Sequence, residues 1–295
     1  MRGVILLGGS GSRLYPLTYS QSKHLLPVYD KPLFFYPLGT LMLAGIREFT
    51  FVSSSETSMN IKRILGDGKD VGISIEYRTQ ESPKGLPDAI MAATDTIENC
   101  KFVVILGDNI FYGVGLGSRL KENLDTTLGA KIFAYTVADP SDFGVLKLTS
   151  DGLIEDLVEK PRQFVSQLAI TGLYVLDQNA IQFCKSLSPS ERGELEMVDL
   201  LKCYLSKSQL SFEILPRGVA WLDTGTPNSL LEAANYVNIV EKRQGLKICC
   251  IEEIAWRNGW ISNAQLLQKS ITYKNSYGEY LARLLEGAKD NGLNT

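Results

Sequence analysis

The run Leu6-Leu7-Gly8-Gly9-Ser10-Gly11-Ser12-Arg13-Leu14 follows directly on the apolar pair Val4-Ile5. A buried strand that empties into a glycine-rich turn presents a row of bare backbone N–H groups, which take anionic oxygen, phosphate above all. This turn carries its own guanidinium, Arg13, and Lys23 follows. The third position of the dinucleotide fingerprint holds Leu14 instead of glycine, and no Gly-Lys-Ser/Thr closes a Walker loop. An arginine within a phosphate-binding turn suits a site where charge is neutralised during reaction as well as in binding.

Carboxylates come next. Asp108, in Leu106-Gly107-Asp108-Asn109, ends the apolar stretch Phe102–Leu106. Ligands of open α/β sheets gather beyond the carboxyl ends of strands, so Asp108 reads either as a Mg2+ ligand bridging phosphates or as a helix cap. Asp223, in Trp221-Leu222-Asp223-Thr224-Gly225, reads as a cap or turn residue unless it converges with Asp108; two close carboxylates would then need a cation. Glu159-Lys160-Pro161 closes another strand, as a surface ion pair or as partners for sugar hydroxyls and a phosphate. Gly172 after Thr171 permits close backbone approach or marks a bulge. Gln80 and the turn Ser82-Pro83-Lys84-Gly85 could read a pyrimidine edge or form an ordinary loop. His24, the one histidine, lacks a neighbouring nucleophile and acid for a triad and reads as a wall or packing residue.

Positioning these groups calls for alternating strands and helices. Strands are expected at Gly3–Leu7, Phe49–Ser53, Ile73–Tyr77 and Phe102–Leu106, then at Lys131–Val137, Gly144–Leu148, Ile154–Glu159, Gly172–Leu176 and Phe212–Leu215. Helices are expected at Leu38–Gly45, Asn60–Leu65, Asp88–Glu98 and Leu116–Leu124. The stretch from Lys131 to Val158 leaves little room for helices and should be more antiparallel. From Pro227 on, the texture is helical: Ser229–Arg243, Ile251–Gly259, Ile261–Lys269 and Tyr280–Gly287. The fold class is α/β, with a catalytic core over residues 1–240 and a helical extension over 241–295 packed on it as one domain. Net charge of −3 advertises no affinity for nucleic acid or an acidic membrane. Five cysteines without C-x-x-C spacing favour a reduced cytoplasmic setting over a disulfide framework or zinc site.

Taken together, these segments resemble the sugar nucleotidylyltransferases. The resemblance runs through Gly8–Leu14, Ser22-Lys23-His24-Leu25-Leu26-Pro27, Gly107-Asp108-Asn109, Phe143-Gly144-Val145 and Glu159-Lys160-Pro161. It continues through Thr171-Gly172-Leu173-Tyr174, Arg192-Gly193-Glu194-Leu195-Glu196, Trp221–Gly225 and Arg243-Gln244-Gly245. It implies a Rossmann-like, mostly parallel sheet flanked by helices. The implied reaction joins dTTP to glucose 1-phosphate with Mg2+ and releases pyrophosphate. By motif, Arg13 and Lys23 would neutralise the triphosphate and the transition state. Leu6, Gly8, Gly9, Gly11, Ser12, Gln80, Gly85 and Asp108 would line the nucleotide. Gly144, Glu159, Lys160, Thr171 and Gly172 would hold the sugar phosphate, while Asp108 and Asp223 would ligate the metal. A homotetramer, feedback inhibition by a dTDP-sugar and an early step of dTDP-deoxysugar synthesis such as dTDP-rhamnose are implied too. The rivals are a UTP-using pyrophosphorylase, one using another sugar 1-phosphate, and a catalytically weakened sugar-nucleotide-binding relative. Leu7, Ser12, His24, Glu81, Asp88 and Val198 depart from the family's common residues. Leu7 and His24 are expected near the nucleotide.

Overall fold

In a computed structural model the protein is described over residues 1–80, 82 and 84–290; Glu81 and Pro83 of the base-loop expectation lie outside the described residues. Its first strand, Arg2–Leu6, lies between the parallel strands Glu48–Ser53 and Phe102–Leu106, and Ser74–Thr79 adds a further parallel strand beyond Glu48–Ser53. Alternation along the first strand explains the two layers of core. Ile5 and Leu7 pack with Phe49, Phe51 and Ile105 on one face, while Val4 and Leu6 pack with Val52 and Val104 on the other. Successive strand residues point to opposite faces, so a sheet covered by helices on both sides must be apolar at every position.

Strand Leu168–Leu176 runs antiparallel to Phe102–Leu106 and carries the sheet on to the hairpin Gly144–Leu148 and Ile154–Glu159. Ala130–Thr136 pairs antiparallel to the same long strand, and Leu210–Ile214 is parallel to Ala130–Thr136. Within this nine-stranded sheet only Leu168–Leu176 and Ile154–Glu159 run against the rest, so the sheet is mixed and mostly parallel. A turn at Asp151-Gly152 joins the hairpin, with Gly152 at φ +79°.

Local chemistry shifts several expected elements. The helix expected from Asp88 to Glu98 is two, Leu86–Ala92 and Thr94–Ile97. The Thr94 hydroxyl donates to the Met91 carbonyl at 2.7 Å and the Thr96 hydroxyl to that of Ala93 at 2.8 Å, competing with the helical ladder at the break. Helix Ser55–Leu65 starts earlier than its apolar spacing suggests, because Ser54 caps it by accepting from the Thr57 amide at 3.3 Å. Helices Asn179–Ser186 and Met197–Leu205, outside the sequence expectation, bury Ala180, Cys184, Leu200 and Leu201 against the Val4 face.

After Pro227 the chain is helical as expected: Pro227–Gln244, Ile251–Arg257, Asn263–Thr272 and Ser276–Asp290. Ile251, Ile254, Leu266 and Leu281 enter the same apolar cluster as Ile5, so the extension shares the core of the sheet. Buried Lys31 ties it further, donating to Glu241 at 3.1 Å. No helix among the described residues is long and apolar enough to cross a membrane.

Candidate active site

A cleft of about 360 Å3 opens beyond the carboxyl ends of Arg2–Leu6 and Phe102–Leu106. The glycine turn forms its wall. Gly9 and Gly11 adopt φ of +98° and +63°, conformations that suit residues without a Cβ. Among the described residues the amides of Gly8 through Ser12 donate no hydrogen bond, so they remain available to a ligand. Leu6, Gly8 and Gly9 line the cleft; Gly11 and Ser12 stand back from it, and Gly11 accepts from Thr18 Oγ1 at 2.8 Å.

Four charged side chains meet at one end. Lys23, on a short 3-10 helix capped by Ser22, donates to the Asp108 carboxylate. Asp108 also accepts from Asn109 Nδ2 at 3.0 Å, and its pKa lies well below the usual range: burial works against ionisation, but Lys23 and hydrogen bonding outweigh it. Two short strands, Asn109–Tyr112 and Ala220–Asp223, pair antiparallel with Asp223 opposite Asn109, which brings Asp223 alongside Asp108. Burial first, and the charge of Asp108 second, push the Asp223 carboxyl up to about 6, with Lys23 and Arg13 opposing. Arg13 completes the group. A Cβ on Gly225 would stand 2.8 Å from Arg13 Nη2 and 3.0 Å from Asp223 Oδ2, so the glycine is what admits both side chains. Arg13 is exposed and has no ion-pair partner among the described residues.

Asn109 organises the floor. Its Oδ1 accepts from Trp221 Nε1 at 2.6 Å and from the Gly172 amide at 3.1 Å. Gly172 sits where the pairing register of strand Leu168–Leu176 shifts, and a Cβ there would come within 2.6 Å of Asn109 Oδ1. The glycine thus marks a bulge and also lines the cleft. Neighbouring Thr171 is fully buried with its hydroxyl on the Phe133 carbonyl at 2.8 Å, and it does not line the cleft.

Elsewhere in the cleft wall, Gln80 donates to Asp88 at 2.7 Å and to the Gly85 carbonyl at 3.3 Å, with Oε1 turned toward Gly8. Gly85, at φ +103°, bridges to Leu195; a Cβ would lie 2.0 Å from the Leu195 carbonyl oxygen. At the far end, Gly144 leaves room for Glu159, whose Oε2 lies 3.3 Å from a Cβ at that position. Lys160, at φ +42°, is exposed on the rim. Arg192 donates to Glu159 at 3.3 Å and to Glu196 at 2.7 Å. Burial, then Glu196, raises the Glu159 pKa, while Lys160 and Arg192 oppose.

Leu7 and His24 meet on Gly107, where a Cβ would lie 2.4 Å from Leu7 Cδ2 and 2.7 Å from His24 Cδ2. His24 lines the cleft, whereas Leu7 lines a second, smaller cavity behind the glycine turn. Reading the sequence by motif assigned no individual role to Asn109, Trp221, Arg192 or Glu196. Only their place beside Asp108, beside Asp223 and within Arg192-Gly193-Glu194-Leu195-Glu196 could have signalled one.

A glycine turn with free amides, two cations and two converging carboxylates, gathered beyond the carboxyl ends of parallel strands, suit the joining or cleaving of phosphates. The chain belongs to the nucleotidyl transferase family, whose model matches residues 2–239. It is similar to the glucose-1-phosphate thymidylyltransferase of Neisseria meningitidis serogroup A, 50% identical over 97% of this chain and 100% of the relative. The enzyme of that name from Mycobacterium tuberculosis is 47% identical over 97% of this chain and 99% of its own. Among solved structures, a Bacillus anthracis chain named for the same activity, in complex with a sucrose, superposes with a TM-score of 0.74 at 36% identity, covering 80% of this chain and 94% of that one. The protein is therefore a sugar-phosphate nucleotidyltransferase, grouped with the glucose-1-phosphate thymidylyltransferases.

Proposed function

We propose that the protein joins dTTP to α-D-glucose 1-phosphate, giving dTDP-glucose and pyrophosphate. The observation that carries this reading is the gathering of Arg13, Lys23, Asp108 and Asp223 at one end of a cleft whose other end holds Glu159, Lys160 and Arg192. An oxygen of the sugar phosphate attacks the α-phosphorus, and the bond from that phosphorus to the β-phosphate oxygen breaks on the opposite side. The sugar phosphate, with a second pKa of about 6, is largely a dianion at neutral pH and needs no general base. The obstacle is bringing two polyanions together, so positioning and cationic stabilisation supply the catalysis.

Arg13 and Lys23 are the catalytic cations. The free amides of the glycine turn hold phosphate oxygens. Glu159, supported by Arg192, accepts from sugar hydroxyls, and Lys160 takes the sugar's phosphate. Gln80, its amide nitrogen spent on Asp88, keeps a carbonyl for the N3–H of thymine or uracil. Cytosine lacks that proton, so thymidine and uridine triphosphates are both accepted, thymidine preferred.

Asp108 and Asp223 would hold Mg2+, which supplies positive charge to the triphosphate oxygens. Their fit is supported by their placement side by side, where burial first and the charge of Asp108 second raise the Asp223 pKa. Two protein carboxylates, with substrate oxygens and water completing the shell, match the habits of Mg2+. By the same reading the enzyme is a cytoplasmic homotetramer, subject to feedback by a dTDP-sugar and opening a dTDP-deoxysugar route such as that to dTDP-rhamnose.

Pyrophosphate release by the purified protein, measured with Mg2+, glucose 1-phosphate and each of the four bases as triphosphate, tests the reading. Release with dTTP is expected; a preference for a purine or cytidine triphosphate would overturn it.

A further inference from the structure

Thr224 is fully buried and does not line the cleft, so it touches no substrate. Its neighbours on either side belong to the site. Asp223 carries the second carboxylate, and Gly225 admits Arg13 beside it. The Gly225 amide also donates to the Asp223 carboxylate, which folds the three residues into a tight turn.

At the centre of that turn Thr224 binds Asp108 twice. Its hydroxyl donates to the Asp108 carbonyl oxygen at 2.8 Å, and its backbone N–H donates to the same oxygen at 3.2 Å. The ladder that sets Asp223 opposite Asn109 ends there, so the clamp carries the pairing one step further, onto the backbone of Asp108 itself. On its other side Asp108 follows Gly107, whose N–H donates to the Leu6 carbonyl at 2.8 Å. The chain around Asp108 is thus held between the parallel sheet and Thr224.

Valine would fill the space of Thr224 and keep the N–H bond. A methyl group cannot sit as close to a carbonyl oxygen as a donor does, and the buried oxygen would lose one partner. The turn would back away from Asp108 and carry Asp223 with it. From this geometry, and resting on the function proposed above, we propose that Thr224 is a positioning residue. Its hydroxyl fixes the spacing at which Asp108 and Asp223 take one divalent cation between them.

The test titrates the substrate-free enzyme with Mn2+, a paramagnetic stand-in for Mg2+, and follows the spin resonance of the free ion. It compares wild type with Thr224→Val, Thr224→Ala and Thr224→Ser. The first two lose the hydroxyl, one with a methyl in its place and one without, so either decides if the other fails to fold. The third keeps the hydroxyl and loses the methyl. The Mn2+ dissociation constant should rise by about tenfold in Thr224→Val and Thr224→Ala, and stay within about twofold of wild type in Thr224→Ser. KM for glucose 1-phosphate at saturating Mg2+ should stay level, because Glu159 and Arg192 pair with each other instead of with this turn. Wild-type Mn2+ affinity in the variants without the hydroxyl overturns the assignment. So does a glucose 1-phosphate KM that climbs in step with the Mn2+ constant, the mark of general loosening. A wild type that takes up no Mn2+ overturns it as well. Pyrophosphate release by that same preparation, from dTTP and glucose 1-phosphate, then decides separately whether the proposed function stands.

Discussion

Asp223 and Asn109 face each other in a two-stranded ladder, and that single register places the second carboxylate of the site beside Asp108. Desolvation and repulsion leave Asp223 with a pKa of about 6, above the ordinary aspartate value of 3.8. Between these values the folded state keeps a proton that the unfolded state has lost, so the contribution of Asp223 to stability falls as pH rises from about 4 to about 6. Asp223→Asn should therefore stabilise the metal-free protein by about 1–3 kcal/mol at pH 7 and by little at pH 4, while abolishing turnover. Urea denaturation at the two pH values, beside an activity assay, checks both halves.

Asn109→Ala removes the acceptor shared by Trp221 Nε1 and the Gly172 amide. Two donors are then left unpaired in the interior, at a cost of about 2–4 kcal/mol. Chemical denaturation should show that loss. Turnover should fall with it, because the same side chain positions Asp108 and the strand that carries Asp223.

Truncating Arg192 to Met should act at one end of the cleft only. Glu159 and Glu196 would lose their shared cation, and the already raised pKa of Glu159 would climb further. An ionised carboxylate accepts from sugar hydroxyls more strongly than the protonated acid does. KM for glucose 1-phosphate should therefore rise, and its acid-side increase should set in at higher pH than in wild type. KM for dTTP should barely move. Steady-state kinetics from pH 5 to 8 would show whether the two substrates separate in this way.

Gly85→Ala places a Cβ against the Leu195 carbonyl in a backbone conformation that alanine resists. The contact between the base loop and the segment before helix Met197–Leu205 must open. A loss of about 2 kcal/mol or more is expected, with a higher KM for dTTP than for glucose 1-phosphate; thermal melts and kinetics measure each.

Replacing Lys23 by Ala should lower kcat by about a hundredfold or more, the scale of losing one preorganised charge in a phosphoryl-type transition state. Substrate KM should change far less. Rapid-quench turnover at saturating substrate separates the two effects.

Local patterns were enough for much of this molecule. Continuous apolar runs announced the parallel strands, since a strand covered on both faces has no polar side, and the glycines of the first turn announced its tight backbone. The helices after Pro227 were legible from their spacing. What the chain order hides is which loops meet. Asp108 and Asp223 lie far apart in sequence, and only the pairing of Asn109–Tyr112 with Ala220–Asp223 turns a turn aspartate into the partner of another acid. Arg192 shows no partner along the chain until folding brings it onto Glu159, and Asn109 shows nothing of its role until Trp221 and Gly172 donate to it. Thr171, one residue from the cleft, turns its hydroxyl inward because neighbouring positions of a strand face opposite ways. Backbone preference and hydrophobic periodicity act over a few residues and so can be read along the chain. Electrostatic coupling and hydrogen-bond sharing act through space, and only the tertiary structure sets which groups lie within reach.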